Sequence, residues 1–213
     1  MTTINRRALM AMAAAMAGLP AWAQETTTAE TPATPEALPE VKDFSLGDPN
    51  APVKIVEYAS FTCPHCANFH ATVFKPLKAD YIDTGKVQFT YREVYFDRFG
   101  LWAALVARCG GDLRYFGISD MLFDQQAEWL ADQDPNVVIG KLRTIGVTAG
   151  LTNEQLDTCL ADAKQVDAMV KRFEENMKAD GIEGTPTLMI DGEKHSNMSY
   201  NDLKAIIDAK LAG

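Results

Sequence analysis

The chain has 213 residues, 47% of them hydrophobic, enough apolar material to enclose a sizeable core. Its 29 acidic side chains outnumber 20 basic ones for a net charge of −9, a balance that disfavours nucleic acid or an anionic membrane as a partner. Charge says nothing more about function, and the four cysteines become the centre of interest.

In chain order, the first 23 residues have the plan of a secretory signal. Arg6 and Arg7 give a positive start, Ala8 to Leu19 is small and apolar, and Pro20-Ala-Trp-Ala23 offers an Ala-x-Ala cleavage site. The apolar run is too short to cross a bilayer. The Asn5-Arg-Arg start is also compatible with twin-arginine export, but the general route is the expectation. Cleavage would remove two positive charges and no negative ones, leaving 18 basic against 29 acidic residues, a net of −11. Residues 24–40 are Thr, Glu, Pro and Ala with little to bury, a composition expected of a mobile linker. The rest, from Val41 to Gly213, has the size of one folded domain. All four cysteines lie in the part expected to be exported, where close pairs form disulfides by default.

Val53-Lys-Ile-Val-Glu-Tyr-Ala59 is apolar on both alternations, as a strand covered on both faces requires. It runs into Cys63-Pro-His-Cys66, after which Cys66, Phe69, Val73, Leu77 and Tyr81 recur at helical spacing. Pro76 inside that stripe predicts a kink, not an ending. After the Asp83-Thr-Gly-Lys turn, Val87, Phe89 and Tyr91 alternate with polar residues, so strand, helix and strand form a βαβ unit.

From about 99 to 181 the pattern turns helical. Leu101, Trp102, Leu105, Val106 and Cys109 mark one helix, and a second over Tyr115 to Leu130 is expected to break near Gly117. Thr152-Asn-Glu-Gln155 is a capping box opening a helix with Leu156, Cys159 and Leu160, and a longer charged helix follows through Val166, Met169, Val170 and Phe173. Sheet character returns at Thr187-Leu-Met-Ile190, Asp191-Gly192 signals a hairpin, and Ser199 caps a last helix. The expected architecture is α/β, a βαβ … ββα frame over 41–98 and 182–213 with an all-helical domain inserted at 99–181.

The chemistry centres on the paired cysteines. A thiol attacks a disulfide only as thiolate. Cys63 stands at the junction of strand and helix, where free backbone N–H groups and the helix dipole favour an anion. Pro64 suits the first helical position, and His65 beside the sulfur is expected to stabilise the thiolate further. Cys66, one turn on, falls on the inner stripe. One sulfur should be exposed and acidic, the other covered, which separates nucleophile from resolving thiol. Stabilising the Cys63 thiolate stabilises the reduced state, so the disulfide becomes the more oxidising. A plain structural staple is the competing reading.

Cys63-Pro-His-Cys66 after Glu57-Tyr-Ala-Ser-Phe-Thr, together with Gly184-Thr-Pro-Thr187 before the next strand, resembles the DsbA family of periplasmic thiol:disulfide oxidoreductases. The resemblance covers Val41 to Gly213. It implies a thioredoxin-like fold interrupted by a helical domain, and a periplasmic enzyme needing no cofactor. Its implied partners are reduced or unfolded exported proteins and a membrane quinone-linked reoxidase resembling DsbB. It also implies a cis peptide at Pro186, with Thr185 and Pro186 pairing with substrate backbone, and a buried acid at Glu57. Between apolar neighbours, Glu57 should have a raised pKa suited to relaying the Cys66 proton. The chain departs from better-known members in having Thr185 where they have Val, which leaves substrate range and redox poise open. Isomerases or reductases of the superfamily share the Cys-Pro-His-Cys start. The isomerases carry a dimerisation segment, whereas only a short polar linker precedes this domain, so a monomer is expected.

Cys109 and Cys159 both lie on apolar helical stripes and are expected to form a structural disulfide, with two buried free thiols as the alternative. Cys63, Cys66 and His70 have plausible metal-ligand spacing, but His195 is the one histidine left as a fourth ligand, so no stable metal site is expected. A reading from another functional class is a peptide-binding chaperone using a groove near Phe61 and Pro186 without redox turnover.

Overall fold

A computed structural model of the chain describes residues 37–213. The expected signal peptide and residues 24–36 of the expected linker lie outside the described residues. A five-stranded sheet is ordered β1 (Phe44–Leu46), β3 (Val87–Glu93), β2 (Val53–Ala59), β4 (Thr187–Ile190), β5 (Glu193–Ser196). Strands β2 and β3 are parallel, with Ile55 opposite Phe89 and Glu57 opposite Tyr91. The β1–β3, β2–β4 and β4–β5 pairs are antiparallel. The central position of β2 explains its apolar sequence, since Val53, Ile55, Tyr58 and Ala59 are all buried. Strand β1 escaped sequence analysis because three residues carry no readable period. It leaves the sheet at Gly47, whose φ of +88° and close approach to the Val87 carbonyl exclude a Cβ. The β4–β5 hairpin turns at Asp191 and Gly192, both at positive φ, as the sequence signal implied.

Helix α1 (Pro64–Phe69) continues from the cysteine motif through a π-helical stretch (His70–Phe74), α2 (Lys75–Leu77) and a second π-helical stretch (Lys78–Ile82). Pro76 has no N–H to complete an α-helical ladder, and wide turns on either side of it accommodate the gap, with Lys75 N–H bonded to the His70 carbonyl. This helical run packs Phe69, Val73, Leu77 and Tyr81 inward, the stripe expected from spacing.

Between β3 and β4 stand α3 (Arg98–Cys109), α4 (Gly111–Asp124), α5 (Gln126–Trp129), α6 (Pro135–Thr148), α7 (Asn153–Ala161) and α8 (Ala163–Ala179). The expected break at Gly117 is absent: α4 runs through it and stops at Gln125. Glycine costs about 1 kcal/mol in a helix interior, which burial of Tyr115, Ile118 and Leu122 on the same helix outweighs. Helix α6 was not foreseen, although Asp134 caps it and Pro135 opens it. Gly140 and Gly146 thin its pattern, yet Gly146 is where Leu156 of α7 packs so closely that a Cβ would meet it at 2.9 Å. The capping box of α7 is present in both halves. Helix α9 (Tyr200–Ala212) starts at Ser199, whose side chain accepts from Asp202 N–H.

Cys109 at the end of α3 and Cys159 on α7 are joined by a disulfide, Cα atoms 5.9 Å apart and 50 residues apart in sequence. Closing such a loop contributes about 2–4 kcal/mol.

Candidate active site

Strand β2 ends at Ala59, and the chain turns through Ser60, Phe61 and Thr62 before Cys63 caps α1. Cys63 has the extended backbone angles of an N-cap, φ −86° and ψ 119°, and Pro64 takes the first helical position. The segment between β3 and β4 holds this turn from the side. Gln126 donates its amide to the carbonyls of Phe61 (2.8 Å) and Cys63 (3.0 Å). Thr62 donates to one oxygen of Asp97 at 2.8 Å while the other oxygen caps α3 by accepting from Gly100 N–H at 2.9 Å.

Thr185 and Pro186 close the site opposite, joined by a cis peptide bond. The Cys63 thiol lies 3.6 Å from the Thr185 carbonyl, towards which it donates. The Thr185 hydroxyl is buried without a hydrogen-bond partner, and its nearness favours the charged form of both sulfurs. A groove of about 420 Å³ runs past this loop, lined by Glu183, Gly184, Thr185, Pro186, Lys194 and His195 among others.

Cys63 and Cys66 are unbonded thiols with opposite electrostatics. The Cys66 thiol, donating to Cys63, is the main cause that brings Cys63 down from 9.0 to about 5, against some desolvation. The Thr185 hydroxyl and the backbone N–H groups of Cys66 and His65 add to it. Cys66 is pushed far above the ordinary thiol range by the bond it gives to Cys63, by burial and by the Glu57 charge. Glu57, 3% exposed on β2, is pushed up to about 8 by burial first and the charge at Cys63 second. It is therefore neutral over most of the physiological range.

The structure thus brings Cys63, Cys66, Glu57, Thr185 and Pro186 together, with two differences from expectation. Cys63 is 9% exposed, less open than a free nucleophile, because the Thr185 loop covers it. His65 is exposed, and what reaches the sulfur is its backbone N–H instead of its ring. Phe61 is buried, so of the two residues named for a peptide-binding groove it is Pro186 that lines one. His70 is buried between the rings of Phe74 and Phe123, and His195 sits on β5 opposite Leu188. Among the described residues no group of three or more His, Cys, Asp or Glu is placed to hold a metal ion. Sequence analysis missed Gln126, Asp97 and Thr62. Asp97 carries a readable N-cap signal, whereas Gln126, among Asp124, Gln125 and Glu128, does not stand out in sequence.

Losing the Gln126 amide would leave the buried Phe61 carbonyl without that donor, while the Cys63 carbonyl keeps the N–H groups of Cys66 and Ala67. Gln126→Ala should cost about 1–3 kcal/mol, lowering the melting temperature by about 2–4 °C per kcal/mol. Thermal melts of both redox states check this, and an unchanged melting temperature would show the clamp to be dispensable.

A family model described as Thioredoxin matches residues 40–209. The crystal structure of Wolbachia pipientis alpha-DsbA1 superposes with a TM-score of 0.75 at 30% identity, covering 82% of this chain and 94% of that one. The chain belongs to the thioredoxin family, in its DsbA-like group. Among DsbA-like relatives, a Rickettsia bellii protein named for protein-disulfide oxidoreductase activity is 36% identical over 85% of this chain and 74% of its own length. A Rickettsia typhi relative named likewise is 34% identical over 79% of this chain, which spans 62% of that protein. The α/β thioredoxin-like fold expected from sequence is the fold of this DsbA-like group.

Proposed function

We propose that the protein is a periplasmic thiol:disulfide oxidoreductase that donates its Cys63–Cys66 disulfide to reduced exported proteins. The observation that carries this reading is the divergence of the two thiols, Cys63 drawn down to about 5 and Cys66 driven up. A stabilised Cys63 thiolate favours the reduced state and so makes the disulfide a strong oxidant.

In the cycle, a substrate chain lies along the groove beside Thr185 and Pro186. Its thiolate attacks Cys63 Sγ, the Cys63–Cys66 bond breaks, and Cys66 leaves while taking the proton of neutral Glu57. A second substrate thiolate attacks the substrate sulfur of the mixed disulfide and displaces Cys63 as thiolate. The substrate loses two electrons and gains a disulfide, and the enzyme is left reduced. A quinone-linked membrane reoxidase resembling DsbB regenerates it. Export by the signal at residues 1–23 and a monomeric state complete the reading.

The test is the oxidised protein with a reduced, unfolded substrate. Faster disulfide formation is expected, and an inert protein would remove the oxidase reading. Retained activity in Cys63→Ser would instead mark a non-redox chaperone.

A further inference from the structure

In the exchange reaction just proposed, on which this inference rests, Glu57 gives up or takes a proton once per half-cycle. It stands on the central strand with strands on both sides, so that proton needs a way in and out. Below it lies a small cavity of about 10 Å³, lined by Glu57, His70, Tyr91, Ser119, Phe116 and Phe123 among others. That is room for a single water, and a water needs polar partners. Tyr91 donates its hydroxyl to the Ala59 carbonyl and Ser119 donates to the Tyr115 carbonyl, so both oxygens keep lone pairs able to accept from a water.

His70 is the lining residue that also reaches outward. Its side chain is only 6% exposed, yet Nε2 lies 2.8 Å from Oδ1 of Asp120 on α4, whose side chain is 43% exposed. The approach is oblique, outside hydrogen-bond alignment, so a small ring rotation makes or breaks that link. Phe74 and Phe123 hold the ring in its plane. The titratable groups around His70 are Cys66 one turn earlier on its own helical run, Glu57 on β2, Tyr91 on β3 and Asp120 on α4. Nearby, Lys75 and Asp124 pair with each other at 2.7 Å and neutralise one another.

We propose that His70 is the proton outlet of the active site, connecting Glu57 through a cavity water to Asp120 and solvent. When the disulfide closes, Cys66 loses its proton to the Glu57 carboxylate. Its sulfur attacks Cys63 of the mixed disulfide, and the partner leaves as thiolate. The Glu57 proton then crosses the water to the imidazole and passes to Asp120 and bulk water. The reverse path recharges Glu57 when the disulfide opens. His70 touches no reacting sulfur and acts through Glu57.

The experiment uses the full chain with glutathione bound to Cys63 and follows glutathione release by Cys66 across pH. General acid–base assistance contributes about a hundredfold or more, so His70→Phe should slow release at neutral pH by at least about tenfold. The deficit should close as rising hydroxide deprotonates Cys66 directly. Asp120→Asn, at a partly exposed side chain, tests the same link and should show a smaller deficit of the same pH shape, with Cys63 alkylation unchanged. A release profile identical to wild type in Asp120→Asn and in folded His70→Phe overturns the outlet, and the Asp120 variant alone decides if His70→Phe does not fold. Because only glutathione is used, a protein that fails to oxidise exported substrates yet shows this pH signature would lose the oxidase reading and keep the outlet.

Discussion

With Cys66 replaced by serine, the protein should stop at the mixed disulfide. Cys63 is expected to take up one glutathione per chain from oxidised glutathione and to hold it, because the thiol that would expel it is gone. At pH 7 a thiol titrating near 5 is almost wholly ionised, while one at the ordinary 9.0 is ionised at about the one-per-cent level, roughly a hundredfold difference in reactive form. Serine and alanine should differ. The Cys66 thiol is the main donor that holds Cys63 down, and a serine hydroxyl can still donate where a methyl cannot. Cys66→Ala should therefore raise the Cys63 titration midpoint more than Cys66→Ser does. In Cys63→Ser, the remaining thiol is fully buried and held protonated, so adduct formation should fall to background. Mass spectrometry of the adducts reads all three outcomes, and a Cys63→Ser protein labelled as fast as Cys66→Ser would reverse the assignment of nucleophile.

Glu57→Gln should separate stability from catalysis. A carboxyl whose folded value lies near 8 and whose ordinary value is 4.5 is harder to ionise in the folded chain. Its contribution is therefore intact below about 4.5 and is lost progressively as pH rises towards 8, above which the loss levels off. The amide carries no such linkage. Variant and wild type should have similar stability near pH 4, and the variant should gain relative to wild type with rising pH, by about 3 kcal/mol at neutral pH. The same substitution removes the proton donor to Cys66, so release of glutathione from Cys63 should slow by about tenfold or more. Denaturant unfolding at low and neutral pH, with the release assay alongside, checks both. Parallel stability curves with unchanged release would show that Glu57 faces neither sulfur nor burial as described.

Much of this site was legible because its signals are local. A cysteine at a strand–helix junction, a proline at the first helical position and an acid inside an apolar strand each declare their surroundings within a few residues. Thr185 and Pro186 were found through resemblance, since nothing near them in sequence points to a partner more than a hundred residues earlier. What escaped depends on distant pieces meeting. Gln126 clamps carbonyls more than sixty residues upstream, and no spacing within its helix reveals that. His65 was misjudged because proximity in sequence does not aim a ring, and the backbone N–H serves in its place. Gly117 was read by intrinsic preference, which the packing of Tyr115 and Ile118 overrides. Strand β1 was too short to show a period, and β3 supplies the edge that makes it a strand.

The central claim is that sulfur at position 63 is more stable as an anion than an ordinary thiol. Its most direct measurement is the pH dependence of Cys63 ionisation in the reduced protein, followed by thiolate absorbance with Cys63→Ser as the blank. A midpoint near 5 is the predicted result. A midpoint near the ordinary 9.0 would contradict it and remove the reason for the disulfide to be given away.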